Sequence, residues 1–263
     1  MPELSFKNWQ VDLIRVTGFY GQIAPDKRKE WSSWWTQLVG VPPENSSHRK
    51  RDEVLQEEGP FNGGALILAL QPGRIDWYLR ALEDQEEGQQ DIPASVVCLK
   101  PEAIIKFYEL AVRWMKLDTC PPLTRLALGG LLLQPVEDRQ NGYQKLKNYL
   151  HDVKLSPESS DFLYQINRPR DSRVGLSGLR INRLCKWSVA LLGRISVSLS
   201  VVPKDKKPVT GSVEGQGQYA CRVELDINTA QEFKGEFSGH ILNSIFNELV
   251  DLAQEIAEKG DVP

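Results

Sequence analysis

Apolar and polar positions alternate, or recur every three to four residues, along most of this chain, and the period assigns the elements. Residues 9–20, WQVDLIRVTGFY, alternate well enough to predict a strand. Trp31, Trp34, Trp35 and Leu38 fall at i, i+3, i+4 and i+7 and predict one helical face. Pro25 suits an entry turn upstream, and Gly40 with Pro42 and Pro43 stops the helix. Residues 43–62 are polar and broken and predict a loop. GGALILALQPGRIDWYLRAL then reads as two strands about a tight Gln71-Pro72-Gly73 turn, and EDQEEGQQD, 83–91, as an acidic loop. From Pro101 the helical period returns, with Ile104, Phe107, Tyr108, Ala111, Trp114 and Met115 on one face.

A similar order then restarts. LTRLALGGLLLQPV, 123–136, predicts a strand, and residues 142–150 a short helix with Tyr143, Leu146 and Leu150 as its stripe. DFLYQINR predicts a strand with Phe162, Tyr164 and Ile166 on one face, and residues 179–202 supply one long bent strand or two. PKDKKPVTGSVEGQGQ, 203–218, reads as a flexible connection and YACRVELDI as another strand. The last segment is the strongest helix: Ile241, Ile245, Leu249, Leu252 and Ile256 form a stripe flanked by Leu242, Phe246 and Ala253. Ser238 is placed to cap it and Gly260 to end it. Strands joined by short turns imply antiparallel pairing. Helices apolar on one side must cover one face of the sheet. The expectation is an α+β protein with a curved, mostly antiparallel sheet and four main helices on one face. Its two similar β-α-β-β-α halves, 1–120 and 121–263, form two domains or one continuous domain.

Composition changes this picture little. A chain of 263 residues, 41% hydrophobic and 25% charged, can bury a sizeable core. A net charge of −3 argues against coating nucleic acid with the whole surface and leaves room for a local basic patch. Cys98, Cys120, Cys185 and Cys221 lie far apart, with no C-x-x-C pair and no histidine at zinc-ligand spacing. They read as reduced thiols, and neither metal nor cofactor is expected. Met1–Gln10 lacks a signal-peptide pattern. The longest apolar runs, 65–70 and 126–133, fall far short of the roughly 20 residues of a membrane span. A soluble, cytoplasmic protein with no membrane contact is expected.

Four stretches carry a likeness. TRLALGG at 124–130, FLYQINR at 162–168, CRVELDINT at 221–229 and the closing HILNSIFNELVDLAQEI resemble an uncharacterised, sporadically distributed bacterial protein family. The resemblance spans residues 60–258 by pattern, and Leu-Ala-Leu-Gly-Gly at 126–130 departs from the family's more polar form. It implies the same fold and brings no activity. Its sporadic distribution implies an accessory setting, such as a component of a multi-protein defence-type system.

Reaction chemistry is not written in motifs. No P-loop, G-x-S-x-G or H-E-x-x-H occurs, and the glycines at 211, 215 and 217 fall in the predicted connection. His48, His151 and His240 have no partner at a telling spacing. Asp226 and Asn228 read as ending a strand and organising a turn, with metal ligation as the alternative. The candidate site is instead a run of charge. Arg168, Arg170, Arg173, Arg180, Arg183, Lys186 and Arg194 set seven cations against Asp171 within 164–194, a local charge of +6. Beside Tyr164 and Trp187, such a patch suits phosphate contact with base stacking. It also suits an acidic protein partner, and pairing with an acidic loop such as 83–91 is the stronger reading. By parity, Arg180 and Lys186 share one strand face, and Arg183, Cys185 and Trp187 the other. The reading is a non-enzymatic binding or assembly protein whose partner is another protein. A nucleic-acid- or nucleotide-binding accessory subunit using residues 168–194 is the alternative, and an enzyme whose site is invisible in sequence the third reading. Oligomeric state is left open.

Overall fold

The computed structural model describes residues 6–23, 30–49, 51–82, 98–156, 158–192 and 217–263. Strand β1 (Gln10–Tyr20) precedes a 3-10 turn, Glu30–Ser33, that runs into α1 (Trp34–Val39). β2 (Asn45–Arg49), β3 (Val54–Phe61), β4 (Gly64–Gln71) and β5 (Arg74–Ala81) form a meander, followed by α2 (Pro101–Met115). Then come β6 (Leu123–Val136), α3 (Arg139–Leu146), β7 (Leu163–Asn167), the two-residue β8 (Arg170–Asp171), β9 (Arg180–Leu192), β10 (Gln218–Thr229) and α4 (Gly239–Lys259).

The ten strands make one open, antiparallel sheet in the order β2-β3-β4-β5-β1-β6-β10-β9-β7, with β8 on β9. β1 lies near the centre, between β5 and β6. Its ladder with β6 runs from Gln10↔Leu133 to Tyr20↔Leu123, so residues before and after 120 share one sheet. The register steps between Val11 and Leu13, which sets Asp12 out of the ladder as a bulge.

Strand parity sorts the two faces. Val16, Leu68, Trp77, Leu128, Trp187 and Val223 are buried on one of them, and the helices pack there. Trp35 of α1 stacks on Trp77, with ring centroids 6.4 Å apart. Trp34 meets Trp114 of α2 edge-on at 6.1 Å, and Tyr108 of α2 stacks on Phe246 of α4 at 5.3 Å. α3 sits where the Cys221 thiol donates to the Gly142 carbonyl, 3.3 Å away. In α4, Ile245, Leu249, Leu252 and Ile256 are buried as their period requires, with Leu242, Phe246 and Ala253 beside them. Each of the leucine, isoleucine and phenylalanine side chains contributes about 1.5–3 kcal/mol on burial.

Three local expectations change. Residues 43–62 are not a loop but contain β2 and β3. β2 is exposed at every position, so it lacks the alternation that reveals a half-buried strand. α3 starts at Arg139 rather than Gly142, because the Asp138 carboxylate accepts from the Asn141 backbone N–H at 2.8 Å and caps it. Ser238 occupies the N-cap of α4 without a side-chain capping bond. Pro25, the acidic stretch 83–91, the continuation past Leu192 and the connection 203–216 lie outside the described residues.

Candidate functional site

The structure splits the arginine run by the pleat of β7 and β9. Arg168, Arg170, Arg173 and Arg183 turn toward the helices, and four acids on and just after α4 meet them. Arg168 forks onto Asp261 (Nε–Oδ1 2.5 Å, Nη2–Oδ2 2.8 Å), and Tyr164 OH donates to the same carboxylate at 2.7 Å. Arg170 reaches Glu255 at 2.7 Å and the Pro263 carbonyl. The Arg173 backbone N–H donates to Glu248 at 2.8 Å, and its guanidinium lies 3.1 Å from Asp251. Arg183 has a side chain only 1% exposed, donates to the Val262 carbonyl at 3.2 Å and lies 3.6 Å from Glu255. Arg180 faces Asp171 at 3.6 Å, both exposed, and Arg194 lies outside the described residues.

Electrostatics follow from these contacts. The Arg168 hydrogen bonds hold the Asp261 carboxyl below its ordinary range, and Asp261 in turn raises Arg168. Burial, then the bond to Asp261, pushes the Tyr164 phenol up to about 12. Burial, then Arg170, lowers Arg183. Among the described residues, the acids that meet Arg168, Arg170, Arg173 and Arg183 come from α4 and the residues after it; the loop at 83–91 lies outside them.

Lys186 goes to the opposite face of the sheet, on which no helix packs among the described residues. Its central row runs Leu184–Asp226–Gly129–Arg15–Tyr78 across β9, β10, β6, β1 and β5. The next row runs Lys186–Glu224–Leu131–Leu13. Toward one end the face is tied down by polar contacts. Arg74 forks onto Asp76 at 2.6 and 2.9 Å, and the Thr17 hydroxyl donates to Asp76 at 2.5 Å. Phe19 lies between the guanidinium carbons of Arg74 and Arg125, 5.6 and 5.2 Å from its ring centroid. Arg125 and Asn182 donate to the Asn228 carbonyl oxygen at 2.7 and 3.1 Å.

At the middle of this face is a depression of about 400 Å³ lined by Arg15, Lys186, Arg222, Glu224 and Asp226 among others. Lys186 and Arg222 converge on one Glu224 oxygen, at 3.1 and 3.0 Å. Arg15 lies flat over Gly129, where a Cβ would come within 3.2 Å of its guanidinium, and sits 5.9 Å from the Tyr78 ring centroid. Nε of Arg15 and Nε of Arg222 are buried and have no hydrogen-bond acceptor.

The other sequence candidates fall elsewhere. His48, His151 and His240 are exposed. Burial pushes Cys98 and Cys221 up to about 11 and Cys120 to about 12. Asp226 and Asn228 sit in the β10 ladder rather than at a turn, with the Asn228 amide donating to the Asp226 carboxylate at 2.9 Å. Among the described residues no cluster of three His, Cys, Asp or Glu is arranged to hold a metal ion, and no helix is long and apolar enough to cross a membrane. Sequence reading missed Arg15, Gly129 and Arg222. The one available signal was the Gly129-Gly130 pair inside an otherwise leucine-rich strand, since glycine within a strand often marks a close approach. No family model, curated protein or solved structure matches the chain.

Proposed function

We propose that the chain is a non-catalytic binding or assembly protein that presents the sheet face opposite its helices to a protein partner. The observation that carries this reading is the depression at the centre of that face. There Arg15, Lys186 and Arg222 stand against Glu224 and Asp226, a surplus positive charge that a bound partner balances. Half-buried Leu13, Leu131 and Leu184 add apolar contact area around it. The exposed histidines and the protonated thiols supply no activated nucleophile, which supports binding over catalysis. The arginines at 168–183 already hold acids of their own chain, so a phosphate there competes with formed ion pairs.

The same proposal reads the sheet as two similar halves meeting at β1 and β6. In each, the first strand lies at the centre, the last beside it, and the intervening strands further out. A cytoplasmic setting within a bacterial multi-protein system, and kinship of residues 60–258 with a sporadically distributed family, belong to this reading.

The test is quantitative affinity capture from a native host lysate. Wild type is compared with Leu131→Asp/Leu184→Asp on the open face and with Lys106→Glu on the exposed side of α2. A partner retained by wild type and Lys106→Glu, and lost by the folded double variant, supports the proposal. A partner set indifferent to the open-face change overturns it.

A further inference from the structure

We infer that the depression over Gly129 is a carboxylate pocket, in which Arg15 receives an acidic side chain of a partner polypeptide lying on the sheet. This rests on the open face being the binding surface and names what that face recognises.

Arg15 is the uncompensated charge of the site. It has no hydrogen-bond or ion-pair partner among the described residues, and its Nε–H is buried. Its neighbours on the face differ: Arg74 is held by Asp76, Arg80 by Glu58, and Lys186 with Arg222 by Glu224. Arg15 is only half-buried, its charge has no acid within ion-pair distance among the described residues, and its planar fork matches a carboxylate through two parallel bonds.

Gly129 gives the pocket its floor. A glycine in a central strand packs nothing and weakens the strand, so its position points to something laid over it. Arg15 fills part of that space, and any side chain at 129 would press on the guanidinium.

Charge selects the ligand. Arg15, Lys186 and Arg222 face Glu224 and Asp226, which leaves one surplus positive charge in the depression. A single carboxylate balances it. A nucleic-acid strand brings a phosphate at every nucleotide and needs a sustained run of free cations. Here Glu224 and Asp226 offset two of the three cations, so a polypeptide with an isolated acidic residue fits better. The Asp226 carboxylate, which accepts from Asn228, keeps acceptor capacity for a backbone N–H beside that acid.

The probe is a fluorescein-labelled, end-capped hexapeptide with one glutamate among glycine and leucine, read by fluorescence anisotropy at low salt, with the same peptide carrying lysine for glutamate and a thymidine oligonucleotide of similar length as comparisons. Wild type is expected to bind the glutamate peptide over both comparisons. Arg15→Gln should weaken binding by about tenfold or more, Arg15→Lys by less because charge stays and the fork is lost, and Arg180→Gln on the exposed edge not at all. Gly129→Ala should weaken binding without touching the charge, which keeps the test alive if Arg15→Gln fails to fold. Equal glutamate-peptide affinity for wild type and a folded Arg15→Gln overturns the pocket. Tighter binding of the oligonucleotide, lost in Arg15→Gln, overturns the polypeptide assignment in favour of nucleic acid. If the glutamate peptide does not bind while Leu131→Asp/Leu184→Asp still loses the host partner, the open face stands and the carboxylate pocket falls.

Discussion

Replacing Asp261 by alanine removes one carboxylate and strands three donors. Both Arg168 nitrogens and the Tyr164 hydroxyl lie within 2.8 Å of its oxygens. The Asp261 side chain is 6% exposed and that of Arg168 30%. Breaking a buried ion pair from one side costs about 3–5 kcal/mol. Water reaching the exposed third of Arg168 recovers part of this, so the expected loss is about 3 kcal/mol. For a chain of this length that is about 6–12 °C in Tm. A pH series separates a charge effect from lost packing. Arg168 depresses the Asp261 carboxyl in the folded state. A depressed carboxyl contributes stability that is full above its unfolded value, roughly 3.9, and is lost as pH falls through the lower folded value. Urea denaturation should therefore show the full gap between wild type and Asp261→Ala at neutral pH. The gap should narrow below about pH 4, as far down as wild type remains folded. A neutral-pH gap under about 1 kcal/mol, or one that does not narrow on acidification, refutes the claim that this carboxylate clasps Arg168.

Four further outcomes follow from the same geometry. Leu249→Ala should cost about 2–5 kcal/mol in urea denaturation, because Leu249 is fully buried in the α4 stripe. Gly260→Ala should cost about 2–3 kcal/mol by the same assay: φ is +79° there, and a Cβ would lie 2.0 Å from the Tyr149 carbonyl oxygen. Glu57→Gln should stabilise at pH 7 and not below about pH 4, since burial raises this carboxyl and its ionised form carries the penalty only above the unfolded value, roughly 4.3. Native thiols should react slowly with a disulfide reagent at neutral pH and quickly in denaturant, because burial keeps Cys98, Cys120 and Cys221 protonated.

What the sequence disclosed follows from how much of each element is half-buried. α4 announces itself because 21 residues keep one period and one face. β4, β5 and β10 alternate or run apolar for the same reason. β3 escapes notice because its helix-facing positions include Glu57, buried without a partner for one oxygen, and Gly59, which must stay small beneath Trp35. Alternation vanishes when the inward residues are a carboxylate and a hydrogen atom. The charge run at 168–186 was visible, but its destination was not, because the acids that meet Arg168, Arg170, Arg173 and Arg183 lie 72 to 93 residues further along the chain. Conversely, Arg15 looked ordinary. Only the register that sets it beside Gly129, and Gly129 beside Asp226, makes a pocket of three unremarkable positions. Arg183 and Lys186 show the physical point within one strand. Three residues apart, they leave the pleat on opposite sides, one buried against α4 and the other on the open face. A run of charge along a strand is therefore two half-runs, and its function divides with the faces of the sheet. The half that meets α4 is matched by acids of the same chain, and the open half, with Arg15 at its centre, is the one we propose for a partner.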